Sequence, residues 1–324
     1  MANVQTEKSE RTKDNLIVAA FTVMRPIHWI KNLSIFAAIF FTGFIFDGDQ
    51  FSRVAWGFIA FCLATSATYI FNDILDRNAD RLHPRKRFRP IAAGTLPVSF
   101  AIVETGILII ASILISLAVG LNSLFITTLI AYLVMQFFYS LGLKNVAILD
   151  ILIIAAGFVF RVYAGAFVID AHLSVWFLLC VISAALFLAS GKRRAELNIA
   201  ENLNFGTRKS LGTYGKELLN SYVTMFGNAT WMSWALYTFF ESPRASIPFW
   251  LVLAEVSKTT TITKLLMLTI PIAILGVMRY ESLIFEGKTE TPEKLLLTDK
   301  MLIITVVLWL GLVSWVLYGG VSVM

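Results

Sequence analysis

Charge is scarce in this chain. Only 15% of its 324 residues are Asp, Glu, Lys or Arg, against about a quarter in an ordinary soluble domain, which excludes a water-solvated surface on all sides. Cysteine is scarcer still: Cys62 and Cys180 both fall in apolar runs, where a thiol behaves as a small hydrophobe. Disulfide scaffolding and thiol chemistry are therefore not expected. Three histidines, His28, His83 and His172, with no CxxC, leave no zinc ligand set. A Gly-rich phosphate loop and a G-x-S-x-G elbow are also missing, and no nucleophile is paired with a base. No Pro/Gly/Ser-rich linker and no convincing repeat divides the chain, so residues 1–324 read as a single domain. No apolar core with a small-residue cleavage site closely follows "MANVQTEKSERTKDN", so a removable signal peptide is not expected.

Long apolar runs, by contrast, are abundant, and 57% of residues are hydrophobic. A helix of about 20 apolar residues crosses a ~30 Å hydrocarbon core. Nine runs qualify, near 29–46, 54–73, 97–119, 122–141, 147–169, 173–190, 218–239, 262–279 and 301–321, predicting an all-α polytopic membrane protein. The positive-inside rule sets the orientation. With the N-terminus cytoplasmic and the C-terminus outside, all Lys and Arg fall inside except Arg53, Arg244, Lys258 and Lys264, and Arg161 within a span. That asymmetry and anionic headgroups account for the net charge of +6 without nucleic acid. The cytoplasmic loops 74–96 and 191–217 form cap loops; 280–300 reads as a solvated connector. The outer loop 240–261 carries Pro243 and Pro248. Small and aromatic residues in the spans permit helix association, including a homo-oligomer.

The densest charge is "FNDILDRNADRLHPRKRFRP" at 71–90. If the second helix continues to residue 80, then with Asn72 at zero, Asp76 falls near about 40°, Asp80 near about 80° and Asp73 near about 100°. The four share one arc over roughly 12 Å. Carboxylates on one face repel unless a cation sits among them, and hard oxygens favour Mg²⁺ or Ca²⁺. Magnesium typically joins such carboxylates to a substrate's phosphates. The alternative is a solvated helix end. Arg81, His83, Arg85, Lys86, Arg87 and Arg89 follow, suited to a phosphorylated ligand or, alternatively, to simple positive-inside anchoring. In the fifth span, Lys144 stands at the cytoplasmic entrance and Asp150 a turn inside. Arg161 lies deeper, on Asp150's face and about 16 Å away. An intramembrane Arg faces the bundle interior or a wet cavity; its bland alternative is a structural pair with Glu104. "GKRRAEL" adds Lys192, Arg193 and Glu196, with Lys192 and Glu196 as i,i+4 neighbours if the sixth helix extends. Arg25, His28 and Lys31 lie on the same side. These clusters are expected to share one cytoplasmic mouth.

The pattern "NDILDRNAD" (72–80), followed by "RP" and "AAG" at 89–94, resembles the UbiA superfamily of intramembrane prenyltransferases. "RPIHWIKN", "HPRKRFRPIAAG", "YSLGLKNVAILDILIIAAGFVFRVYAG" and "SGKRRAEL" are most similar to its phosphoribosyltransferase branch. The resemblance covers the first six helices and weakens beyond about residue 220. Aromatic prenyltransferases of the superfamily carry a second Asp-rich motif in a later loop, whereas 191–217 holds only Glu196, Glu201 and Glu217. The resemblance implies a UbiA-type bundle in the plasma membrane with a cytoplasmic active site. It implies transfer of 5-phosphoribose from phosphoribosyl pyrophosphate to a polyprenyl phosphate of decaprenyl type, releasing diphosphate. Mg²⁺ would be held by Asn72, Asp73, Asp76 and Asp80, with Asp76, Asp80 and Asp150 catalytic and Asp150 stabilising an oxocarbenium-like ribose. Arg81, His83, Lys86, Arg87 and Tyr139 would contact substrate, Lys144, Lys192 and Arg193 the donor's 5-phosphate, and Arg25, Lys31 or Arg161 the lipid phosphate. A lipid phosphate is already anionic, so no general base is required. The rivals are an aromatic prenyltransferase using a polyprenyl diphosphate, and a transporter of an anionic solute.

Overall fold

The computed structural model describes residues 16–203, 209–241, 260–287, 295 and 298–319, and they form helices, turns and loops with no strand among them. The long helices are α1 (Gly48–Leu82), α2 (Val98–Ala118), α3 (Ser123–Leu141), α4 (Leu149–Val168), α5 (Val175–Leu203), α6 (Lys216–Phe240), α7 (Ile270–Phe285) and α8 (Lys300–Tyr318). Among the described residues, seven stretches are long and apolar enough to cross a membrane: α1 to α4, Val175–Ile199 of α5, Lys264–Phe285 and α8. The chain is thus an integral membrane protein. Two of the nine expected runs are not among these seven. Residues 29–46 fall on a 3₁₀ stretch, Pro26–Phe36, and a short helix, Ala37–Thr42. The run at 218–239 is a full helix, α6, diluted by Asn, Ser and Thr. Most of the outer loop 240–261 and parts of the 191–217 loop and the 280–300 connector lie outside the described residues.

The chain divides into two compact units. One comprises residues up to 37, 47–144 and 160–170; its core packs α1 and α2 through Ala67, Ile70, Ala101 and Leu108 with Ile91 and Leu96 of the intervening loop. The second comprises 38–46, 145–159 and everything from 171 onward. It holds α5 to α8, with Phe187, Val223, Tyr280, Ile284 and Leu302 interlocked and Phe41, Phe177, Trp234 and Tyr237 in ring contact.

α1 begins where the Asp47 carboxylate accepts from the amides of Asp49 and Gln50, satisfying two of the first turn's unpaired donors. At 35 residues it is about 52 Å long, well beyond a ~30 Å hydrocarbon core, so its polar last turns extend past the apolar span as expected. It stops because His83 precedes Pro84, which forces the extended conformation seen there (φ −82°, ψ 134°).

In the first unit α4 lies against the Pro26–Phe36 stretch at Gly165, where an added Cβ would sit 1.9 Å from the Ile35 carbonyl oxygen. That neighbour is backbone and cannot rotate away. Gly165→Ala should therefore destabilise the protein by about 1–3 kcal/mol, read as a lower thermal-inactivation midpoint in detergent. Gly106→Ala, where the added Cβ meets open space, should not lower it.

Candidate active site

The acidic turns of α1 resolve into two lines rather than one. Asn72 and Asp76, one turn apart, are bonded to each other (Nδ2 to Oδ2, 3.0 Å). Both receive Lys144 Nζ, at 3.0 Å on Asn72 Oδ1 and 2.6 Å on Asp76 Oδ1. Asp73 and Asp80, seven residues and nearly two whole turns apart, are joined instead by Arg89. One nitrogen, Nη1, reaches Asp73 Oδ1 at 3.0 Å and Asp80 Oδ2 at 2.6 Å. Arg25 completes this second line with its Nη2 on both Asp73 oxygens, at 2.5 and 2.7 Å. Asp73 and Asp80 are only 2% and 4% exposed. Carboxylates so far from water need such cations, because an uncompensated buried charge is costly.

The backbone places these cations deliberately. Arg25 has a left-handed conformation (φ 55°) immediately before Pro26, a region uncommon for any side chain but glycine. Arg89 is returned to α1 by the 83–89 loop. The neutral His83 ring accepts at Nδ1 from the amides of Arg85 and Lys86, and the Arg89 amide bonds to the Lys86 carbonyl. Burial, followed by the positive charges of Lys86, Arg89 and Arg85, holds the His83 pKa below its usual value, which preserves the acceptor. The turn Pro90–Ala93 then ends at Gly94, whose φ of 81° is the reason a glycine stands there.

The other expected substrate residues divide. Lys144 is in the acidic site. Arg81 turns away, its Nε donating to the Ala92 carbonyl at 3.0 Å. Lys86 and Arg87 form the short turn Lys86–Phe88, with Arg87 exposed over the Phe88 ring at 4.8 Å. Lys31 is half-buried on the Pro26–Phe36 stretch and Tyr139 half-buried on α3. Arg161 sits in a buried polar knot, giving Nε to Asn32 Oδ1 (2.6 Å) and Nη2 to the Tyr132 hydroxyl (2.9 Å). Asn32 in turn donates to Cys62 Sγ. The expected pairing with Glu104 is corrected, since among the described residues the buried Glu104 Oε2 has no hydrogen-bond partner. At 4% exposure, Arg161 offers no free face to a lipid phosphate; it ties α4 to α3 and to the Pro26–Phe36 stretch.

The second unit contains a separate cluster. α5 does run on past the apolar span, as expected, but Glu196 pairs with Arg193 at i,i+3. Arg193 Nε also meets Asp150 Oδ2 at 2.8 Å, and the Tyr214 hydroxyl donates to Asp150 Oδ1 at 2.6 Å. The same hydroxyl accepts from the Ile148 amide. Ile148 is left-handed (φ 71°), an outlier for a β-branched residue and a mark of a conformation enforced by its surroundings. Burial, then the bond to Asp150, pushes the Tyr214 hydroxyl pKa upward, keeping it a donor. Asp150 and Arg193 are both 0% exposed. This corrects two expectations: an Asp150 with both oxygens engaged cannot face a ribose, and a sealed Arg193 cannot grip a 5-phosphate. Lys192, beside them on α5, is half-buried. Tyr214 belongs to no sequence motif, and Asn32, which ends "RPIHWIKN", carries no charge that marks it as a partner for Arg161.

For a metal, the donor set of Asn72, Asp73, Asp76 and Asp80 is made of hard oxygens and fits Mg²⁺. As arranged, those oxygens are taken by Arg25, Arg89 and Lys144, and among the described residues no three His, Cys, Asp or Glu groups are gathered for chelation.

Residues 33–256 match the model of the UbiA prenyltransferase family. The chain is 37% identical over 308 residues to decaprenyl-phosphate phosphoribosyltransferase of Mycolicibacterium smegmatis, covering 94% of each chain. It is 33% identical over 324 residues to the protein of that name from Corynebacterium glutamicum, covering 97% of this chain and 91% of that one. Its fold resembles a UbiA homolog from Archaeoglobus fulgidus solved bound to GPP and Mg²⁺ (TM-score 0.63, 16% identity, 92% of this chain and 99% of that one).

Proposed function

We propose, because the chain belongs to the UbiA prenyltransferase family, that it transfers 5-phosphoribose from phosphoribosyl pyrophosphate to a polyprenyl phosphate of decaprenyl type, releasing diphosphate. The observation that carries this reading is 37% identity across 94% of the chain to a protein named for that reaction. The acidic turns of α1, ringed by Arg25, Arg89 and Lys144, are of the kind that binds a metal diphosphate.

On this reading Asn72, Asp73, Asp76 and Asp80 hold Mg²⁺, which when bound neutralises charge growing on the leaving diphosphate. Arg25, Arg89 and Lys144 supply fixed positive charge beside that leaving group, where it is most effective. Lys86 and Arg87, on the loop that ends at Arg89, are assigned to the donor's other phosphate, and Lys31 to the lipid phosphate. Arg81, His83 and Asp150 position other groups: Arg81 and His83 fix the 81–92 loop, and Asp150 anchors Arg193 and Tyr214. The nucleophile arrives as an anion, so no side chain has to remove a proton. The same reading has nine membrane crossings in one domain, a cytoplasmic N-terminus and site, an outer C-terminus, a plasma-membrane location and association of copies into a homo-oligomer.

The test is direct. Purified protein with Mg²⁺, phosphoribosyl pyrophosphate and a polyprenyl phosphate should yield a lipid-linked phosphoribose that requires all three. Prenylation of an aromatic acid from a polyprenyl diphosphate, with no phosphoribosyl lipid formed, would replace this reading with the aromatic one.

A further inference from the structure

We propose that Arg89 is an exchangeable counterion: it bridges Asp73 and Asp80 before substrate arrives and passes to the diphosphate when metal and diphosphate bind together. The ligand class rests on the reading above, while the exchange rests on the geometry of the first unit.

Three observations carry it. First, the Nη1 of Arg89 bonds to oxygens of two carboxylates at once, 3.0 Å from Asp73 and 2.6 Å from Asp80. A divalent cation drawing on both carboxylates would take the charge that holds the guanidinium and repel it at close range. Metal and guanidinium therefore compete for one place. Second, the two arginines on Asp73 are held differently. Arg25 grips both oxygens of a single carboxylate from a left-handed backbone position. Arg89 spreads one nitrogen over two carboxylates from the end of a loop. Arg89 is the one with freedom to leave. Third, a guanidinium released beside a diphosphate finds paired phosphoryl oxygens that accept from its planar fork. Bare metal would displace Arg89 with nothing to receive it. Metal together with diphosphate removes that penalty, so each ligand strengthens the other.

The exchange predicts a signature that neither a structural arginine nor a simple phosphate-binding arginine produces. Bound Mn²⁺ would be measured by equilibrium dialysis of the detergent-solubilised full chain at fixed free Mn²⁺, with and without inorganic pyrophosphate. In the wild type, pyrophosphate should tighten Mn²⁺ within the range of about 5- to 150-fold typical of coupled sites. Arg89→Gln should bind Mn²⁺ alone about tenfold more tightly, its competitor gone, and lose most of that coupling. Arg89→Lys, which keeps the charge without the fork, should bind Mn²⁺ alone as weakly as the wild type, with reduced coupling. The proposal is overturned if Arg89→Gln binds Mn²⁺ alone no more tightly, or keeps wild-type coupling; if that variant does not fold, wild-type coupling in Arg89→Lys overturns it. Failure of the wild type to bind Mn²⁺ even with pyrophosphate would instead remove the metal-diphosphate reading itself.

Discussion

Asp76→Asn should reduce phosphoribosyl transfer by about a thousandfold, the upper range for deleting one preorganised charge-stabilising group, while leaving the fold intact. The two consequences separate because of where Asp76 sits. Its side chain is 20% exposed and shares Lys144 with Asn72. An asparagine in its place can still accept from Lys144, so the cation at 144 keeps an oxygen on both sides. The expected cost in stability is about 1–2 kcal/mol: the ion pair with Lys144 becomes a bond from a cation to a neutral amide, and the bond from Asn72 Nδ2 to the second carboxylate oxygen is lost. The catalytic cost is larger because the amide brings no negative charge to a divalent cation. Asp80→Asn makes a useful contrast. It lies on the buried line, and it leaves Arg89 with Asp73 as its remaining carboxylate. Its stability loss should therefore exceed that of Asp76→Asn, with a comparable loss of turnover. Turnover by either variant within tenfold of wild type would mean that the α1 carboxylates are not metal ligands in the reaction.

The acidic face of α1 was legible in the sequence because it is a local property. Helical geometry alone orders Asn72, Asp76, Asp80 and Asp73 by angle, and the structure joins those that are angular neighbours, Asn72 with Asp76 and Asp80 with Asp73. Which cations meet them was not legible. Six basic or titratable residues crowd 81–89, and composition cannot rank them. Selection comes from the turn that His83, Pro84 and Pro90 impose, which aims Arg89 back at α1 and sends Arg81 to the Ala92 carbonyl. Arg25 and Lys144 are farther still in sequence, and a left-handed residue before proline is not something periodicity reveals.

The partners of the deeper charges escape the sequence for a related reason. Depth along an apolar run was informative: Arg161 does face the interior. Its partners are neutral, Asn32 and Tyr132, and a search limited to acids finds only Glu104. Asp150 reads as accessible because it stands in the first turn of α4, close to the entrance at Lys144. Accessibility there depends on Tyr214, 64 residues later in the chain, and on Arg193. The first of these lies in a stretch with no motif, so the burial of Asp150 could come only from tertiary packing.

That burial leads to the other large effect, Arg193→Met. Removing one partner of a pair with no exposed surface leaves an uncompensated carboxylate in the protein, which costs about 3–5 kcal/mol. Glu196 is partly exposed and can turn to solvent; Asp150 cannot. Tyr214 would still donate to it, but a single neutral donor does not replace a guanidinium. The left-handed Ile148, held by the same tyrosine, should loosen with it. The expected result is a large fall in the thermal-inactivation midpoint in detergent, with any activity loss following the loss of folded protein. Adding Asp150→Leu to Arg193→Met should recover most of the midpoint, since replacing both members of a buried pair by apolar groups is often close to neutral. The double variant also decides what Arg193 is for. If it positions α4 and α5, the restored fold should bind phosphoribosyl pyrophosphate with nearly the wild-type KM. If Arg193 instead grips the donor directly, KM will stay raised although the midpoint has returned, and the assignment of Arg193 as a sealed structural cation will be wrong.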